Sequence, residues 1–273
     1  MTQLGIFART FARPSVLEVF QSAKDKGFET LQYNMICSGL APMPDAVEEA
    51  YIASVVAARE ATGLTISGLS GTYNMLHADP QERTAGVRRM AVLAEHAKAI
   101  GTNLLTLCTG SYHPTNQWEY HPDNDKEAAW EDMSQEMEKL VAIAEKYDVY
   151  LGVEIELGNV INTSAKAQKL IEQMGERIKI ILDPANLFDV APAEKVKALI
   201  TEGYERLAPH IAQLHGKDRS PEGAFVGPGR GGVPFDFFVE QAQKAGVKAP
   251  LVAHGFPEAE VDFVSKHLQS VLG

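Results

Sequence analysis

Cysteine is scarce in this chain. Only Cys37 and Cys108 occur among its 273 residues, so a disulfide framework does not hold the fold together. Both lie in apolar, strand-like text and read as buried, reduced thiols. Positive charge is also in short supply. Lys and Arg number 25 against 36 Asp and Glu, a formal net charge of -11. That field repels phosphate backbones and argues against nucleic acid as the main partner. Long hydrophobic runs are missing. No stretch approaches the roughly 18 uninterrupted apolar residues of a membrane span. The opening Met-Thr-Gln-Leu-Gly-Ile-Phe-Ala-Arg lacks the basic segment and apolar run of a secretory leader. A reducing cytoplasm, with no membrane partner, is the expectation. Linkers and low-complexity tracts are lacking too, so residues 1–273 are expected to form one domain. With 45% hydrophobic and 22% charged residues, the composition excludes a disordered chain.

What is present is alternation. Short β-type runs are each followed by a segment of helical period. The runs are Leu4 to Ala8, Thr30 to Tyr33, Leu64 to Leu69, Asn103 to Cys108, Val149 to Ile155, Ile178 to Leu182, Ile211 to Leu214 and Leu251 to Ala253. The first helix opens at Pro14 and Ser15 and closes near Gly27. The next three span about Asp45 to Thr62, Pro80 to just before Gly101, and Lys126 to Tyr147. The last four span about Ser164 to Met174, Ala193 to Arg206, Phe235 to Ala245 and Pro257 to Leu272. Alternating units imply a parallel sheet covered by helices, and eight close a TIM barrel. The competing doubly wound sheet usually carries a glycine-rich phosphate turn after its first strand. Here that turn reads Arg9-Thr10-Phe11-Ala12-Arg13, without glycine. The predicted architecture is a single α/β domain, a (β/α)8 TIM barrel.

In such a barrel, chemistry collects at the C-terminal strand ends. The fifth run ends Gly152-Val153-Glu154-Ile155-Glu156, the sixth Leu182-Asp183-Pro184-Ala185-Asn186, the seventh Leu214-His215-Gly216-Lys217-Asp218, and the eighth Ala253-His254-Gly255. Alternation puts Glu154 and Glu156 on one face, the barrel interior. Two carboxylates there are costly unless paired, protonated or bound to a cation. Singly, an Asp before Pro is an ordinary turn residue, and a strand-end His an ordinary hydrogen-bonding one. Jointly, Glu, Asp, His and His on four consecutive strands converge on one mouth. Mixed carboxylate and imidazole ligands suit Mn, Zn, Co or Fe, and Mg less naturally.

These motifs carry a resemblance. With Asn162-Thr163, and with Gly227-Pro228-Gly229 ahead of Pro234-Phe235-Asp236-Phe237-Phe238, the chain resembles the sugar phosphate isomerase/epimerase superfamily of xylose isomerase-like TIM barrels. The resemblance runs nearly end to end. It implies one divalent ion held by Glu, Asp, His and a last Glu on strands five to eight. Glu154, Asp183 and His215 match those positions, and the last reads His254. The superfamily also holds an endonuclease branch, from which Asn186 departs where that branch carries histidine.

Substrate contacts are expected from the loops after the third and fourth runs, with His77, His113, Trp118 and His121, and from Asn186 and Lys217. Such hydroxyl, amide, imidazole and aromatic groups suit a polyol. Lys217, Arg219 and Arg230 could also bind a phosphate or carboxylate.

The expected function is a divalent-metal-dependent isomerase or epimerase of a sugar, sugar phosphate or related hydroxy-carbonyl. Glu154 is the expected ligand and Glu156 the expected base. His254 is expected as a ligand, with a base role as the alternative. A dehydratase using His77 or His254 as acid is the second reading, and a non-catalytic sugar- or metal-binding barrel the third. The partner is a small molecule, and a homo-oligomer stays open.

Overall fold

The structure, a computed structural model, describes residues 2–273. Eight parallel strands close into a barrel. They are β1 (Leu4–Phe7), β2 (Thr30–Tyr33), β3 (Thr65–Ser70), β4 (Leu104–Leu107), β5 (Tyr150–Glu154), β6 (Ile178–Leu182), β7 (Ile211–Gly216) and, eighth around the ring, β10 (Leu251–Ala253). β8 (Asp218–Arg219) and β9 (Phe225–Val226) form a separate antiparallel pair in the loop after β7. The outer helices are α1 (Val16–Asp25), α2 (Glu49–Thr62), α3 (Pro80–Ile100), α4 (Glu127–Tyr147), α5 (Ser164–Met174), α6 (Ala193–Leu207), α7 (Phe235–Lys244) and α8 (Val261–Leu272). The predicted single (β/α)8 barrel is the observed fold. Among the described residues, no helix is long and apolar enough to cross a membrane.

The helix starts follow local chemistry. Ser15 Oγ accepts the Glu18 amide, Thr163 Oγ1 the Lys166 amide, and Asp79 Oδ1 the Gln81 amide ahead of Pro80, each satisfying a donor that a first turn leaves open. α2 begins at Glu49, four residues later than the sequence suggests. Asp45 instead reaches across to Arg88 and Arg89 of α3, at 2.8 and 2.7 Å. α8 is likewise shortened, to Val261, by a 3-10 turn over Glu258–Glu260.

Inside the barrel, the layer toward the C-terminal strand ends is polar. Gln32 of β2 donates to Ser70 Oγ at 3.1 Å and to Thr106 Oγ1 at 3.2 Å. Gln213 of β7 donates to Gln32 Oε1. Gly68 leaves the room: a Cβ there would lie 2.7 Å from the Thr106 methyl. A register shift between Leu31 and Gln32 brings Gln32 opposite Gly68. This layer is the floor under the strand-end residues.

The loop after β7 is organised by one buried carboxylate. Asp218 accepts four backbone amides, those of Val233 (2.9 Å), Arg219 (2.8 Å), Gly229 (3.0 Å) and Gly231 (2.8 Å). Asp218→Asn keeps the shape but turns an NH2 toward two of those donors. The expected cost is about 2–4 kcal/mol. Thermal denaturation should show a Tm lower by at least several degrees, and hydrogen exchange should quicken across residues 219–233. An unchanged Tm would remove Asp218 as the loop's organiser.

Candidate functional site

Alternation on three neighbouring strands builds the site. β5 ends with Glu154, and Glu156 follows two residues on, just before the turn. β6 delivers Asp183 to the turn that follows it. β7 carries Gln213, His215 and, two residues further, Lys217 toward the interior. Ligand-capable atoms of Glu154, Asp183 and His215 all lie within 4.8 Å of one another, and all three residues are buried.

Lys217 Nζ sits among the acids, 3.2 Å from Glu154 Oε1, 3.4 Å from Asp183 Oδ2 and 3.6 Å from Glu156 Oε2. Asn186, on the turn after β6, donates through Nδ2 to Glu154 Oε1 and to Glu156 Oε2, both at 2.9 Å. His215 Nδ1 faces Glu154 Oε1 at 3.1 Å and Asp183 Oδ2 at 4.0 Å. Its Nε2 lies 2.7 Å from Gln32 Oε1. The tautomer that donates from Nε2 to Gln32 is the one whose Nδ1 lone pair is free for an ion placed between it and the acids. Asp183 Oδ1 accepts the Ala185 amide at 2.9 Å, whereas its Oδ2 is buried with no hydrogen-bond partner.

The electrostatics follow from burial. Burial raises a carboxyl pKa, but Lys217 and His215 outweigh it at Glu154 and hold that group well below the ordinary glutamate value. At Glu156 burial wins over Lys217, and the nearby Glu154 and Asp183 add to it, so the carboxyl is pushed up to about 7. Asp183 is also raised, by burial. Burial opposes the charge on Lys217, yet its three acidic neighbours lift its pKa above the ordinary lysine value. One ammonium facing three carboxylates, an orphaned carboxylate oxygen and an imidazole nitrogen aimed at them is a donor set that could hold a metal ion.

The fourth expected ligand lies beside this group, not in it. His254 stacks on His215, with ring centres 5.3 Å apart and planes 9° from parallel, and on Phe7 of β1 at 4.9 Å. Burial and the Lys217 charge keep its pKa well below the ordinary histidine value.

The mouth opens into a cavity of about 520 Å³. Trp118, Glu154, Glu156, Lys217 and His254 line it, as expected of residues at the mouth. His77, His113, His121 and Asn186 do not. The three histidines instead serve their own loops. His77 Nδ1 accepts the Asp79 amide at 3.1 Å, His113 Nδ1 the Asn116 amide at 3.1 Å, and His121 Nδ1 the Asp123 amide at 3.2 Å. Asn186 is fully buried beneath the two glutamates. The expected anion-binding side chains are also engaged. Arg219 donates to the Ala185 carbonyl at 2.6 Å and lies 4.1 Å from the Phe225 ring centre. Arg230 lies 3.7 Å over Phe263, away from the cavity. Sequence reasoning missed Phe7, Arg9, Gln32 and Asn34, which form part of the wall. The available signal was the polar Gln32 in the middle of Thr-Leu-Gln-Tyr.

The xylose isomerase-like TIM barrel family matches residues 20–269. The chain belongs to this family. No curated protein matches it significantly in sequence. Among solved structures it is similar to the apo 3-keto-D-glucoside 4-epimerase of E. coli, with TM-score 0.76, 16% identity and 99% of each chain covered. It is similar to the probable 3-DHS dehydratase of Bacillus anthracis, involved in petrobactin synthesis, with TM-score 0.76, 15% identity and 98% of each chain covered. It is also similar to the IOLI protein with a bound zinc atom, with TM-score 0.74, 14% identity and 99% and 98% of the two chains covered. At these identities the likeness is one of fold.

Trp118 owes its place to contacts between the loops after β4 and β5. Asn159 accepts the Gly110 amide at 2.7 Å and donates to the Gln117 carbonyl at 2.9 Å. Gly158 packs so closely that a Cβ would fall 2.1 Å from the Trp118 carbonyl oxygen. Since that obstacle is backbone, Gly158→Ala must move the Trp118 segment, at a cost of about 1–3 kcal/mol. The variant should lower Tm and shift the tryptophan emission. An unaltered spectrum and Tm would show that the two loops are not held by this contact.

Proposed function

We propose that this protein is a divalent-metal-dependent isomerase or epimerase of a sugar or related hydroxy-carbonyl, acting by proton transfer beside a carbonyl. The observation that carries the reading is the convergence of Glu154, Asp183 and His215, of which Glu154 lines a cavity that also exposes a second carboxylate, Glu156, while Asp183 and His215 lie buried just behind it. Glu154, Asp183 and His215 would hold the ion, with Mn, Zn, Co or Fe preferred by the mixed donors. When bound, such an ion supplies Lewis-acid stabilisation of negative charge developing on substrate oxygens.

The remaining work falls to the chain's own side chains. Asn186 uses one amide group to fix both glutamates, so Glu154 and Glu156 keep a set separation. Glu156 Oε2 is engaged by that bond, and its Oε1 has no donor among the described residues. Oε1 is therefore the atom that takes the proton from substrate carbon and returns it. Lys217, its ammonium turned to all three acids, lowers the cost of gathering them. His254, stacked outside the ligand group, faces the cavity as a second proton-handling group. Expulsion of a β-hydroxyl as water needs an acid on the leaving oxygen. His254 is the one imidazole lining the cavity among the described residues, so a dehydratase of a keto-polyol is the second reading, and it no longer calls on His77.

Metal analysis comes first. The purified protein should hold about one divalent ion, chelator should abolish turnover, and Glu154→Gln or Asp183→Asn should weaken metal binding at least tenfold. Full activity of metal-free protein would falsify the reading. Turnover is then followed in D2O. Solvent deuterium appearing in recovered sugar marks an isomerase or epimerase, a dehydrated product absorbing in the ultraviolet marks the lyase, and neither marks a binding protein.

The two proton-handling groups separate from the ligands in a second experiment. Glu156→Gln should cut turnover by roughly 10²–10⁴-fold with metal content intact. His254→Ala should likewise keep its metal and lose turnover. If His254→Ala loses metal to a competing chelating dye as fully as Glu154→Gln does, His254 is a fourth ligand and not a proton carrier.

A further inference from the structure

The floor of the cavity is acidic, but its opposite wall is not. In the closed ring the strand order is β1, β10, β7, β6, β5, β4, β3, β2. β1 therefore stands diametrically across from β5, the strand of Glu154 and Glu156. Phe7 of β1 pairs in register with Gln32 of β2. Two residues beyond that pair lie Arg9 and Asn34, and both line the cavity.

These two present donors without acceptors. The chain has ten arginines, and eight of them lie within 4.0 Å of a carboxylate. The two exceptions among the described residues are Arg59 and Arg9. Arg59 is packed against Gly101 on the outside of the barrel. Arg9 alone reaches the cavity, its guanidinium 5.9 Å from the Phe7 ring centre. Asn34 Oδ1 is committed to the Ile36 amide at 3.0 Å, while its Nδ2 donates to no protein group among the described residues. The other cation lining the cavity, Lys217, is already surrounded by the protein's own acids. Among the described residues Arg9 is thus the one cation on the cavity wall without an acid of the protein against it, in a chain whose net charge is -11.

We propose that the substrate is a sugar acid, whose carboxylate is held by the Arg9 guanidinium, with the Asn34 amide beside it, while its hydroxy-carbonyl end faces Glu154 and Glu156. This rests on the function proposed above and narrows its substrate class. A planar guanidinium presents a fork of parallel N–H donors that matches a carboxylate bidentately. A single arginine balances one negative charge, whereas a phosphate dianion would leave a second one without a cation at this wall.

The test is direct binding by calorimetry to the metal-loaded protein. D-glucuronate, D-galacturonate and D-gluconate are compared with D-glucose and D-galactose and with D-glucose 6-phosphate. At least one acid should bind about 10–100-fold more tightly than its neutral counterpart, and this preference should shrink as salt is added. Arg9→Gln should erase the preference and leave metal content unchanged, whereas Arg9→Lys should keep part of it. Tighter binding of the phosphate than of every acid overturns the carboxylate assignment. Binding of neutral sugars alone, absence of binding by any acid, or a preference that survives Arg9→Gln overturns the Arg9 role. Each of these outcomes leaves the metal and deuterium experiments to decide the parent reading on their own.

Discussion

Three carboxylates buried around one ammonium are the constraint on which the upper half of the barrel depends. Removing a charge from water costs several kcal/mol even after relaxation. Glu154, Glu156 and Asp183 are all less than a tenth exposed. Lys217 balances one of the three, and hydrogen bonds must carry much of the rest. That need explains Asn186, whose single amide nitrogen serves two glutamates. It explains the Gln32–Gln213–His215 chain beneath them, which a barrel filled only with aliphatic layers would not require. It also accounts for the uneven protonation, with Glu154 held ionised beside Lys217 while burial lifts Glu156 to about 7.

The loops around the mouth solve a second problem of the same kind. Backbone amides in irregular segments need partners as much as those in strands do. Here the partners are side chains from other loops. Asn74 accepts the Ser111 amide, Asn159 that of Gly110, Asn124 that of Tyr112, and Asp218 four amides of its own loop. All of these bonds except the one from Asp218 to the adjacent Arg219 amide span loops or distant parts of one loop, so the mouth is a connected frame rather than a set of independent flaps. His77, His113 and His121 belong to this frame, each accepting an amide two or three residues on.

This frame is where the sequence was hardest to read. The strands and helices were legible because period, glycine stops and cap residues are local signals: Ser15, Pro80, Gly63 and Gly101 each mark an end that the structure places within a residue or two. Glu154, Asp183, His215 and Lys217 were legible because strand alternation alone dictates which side chains point inward. A histidine in a loop has no such rule. Whether His113 faces substrate or its own Asn116 amide depends on a loop path that local pattern does not encode. Arg9 was read only as the absence of glycine after the first strand, since its significance lies in β1 standing opposite β5, a property of the closed ring. The eighth-strand departure was visible as His254, but its stacking between Phe7 and His215 is a consequence of neighbours on β1 and β7, far away in sequence.

The two walls of the cavity act in different dielectric regimes, and that divides their labour. Glu154, Asp183 and His215 are enclosed, where charge interactions are strong and poorly screened. A cation bound among them would gain much of its affinity from that enclosure. Arg9 is exposed at the rim, where water and salt weaken each contact. A carboxylate held there would add modest affinity, and it would fix which end of the proposed substrate lies across from Glu156. Orientation is what a proton transfer needs, because a base acts only on the carbon placed within its reach. On that reading, chemistry would be set by buried groups held by several hydrogen bonds. On the proposed reading, substrate choice would be left to one exposed side chain on the far wall, Arg9, remote from the acidic floor.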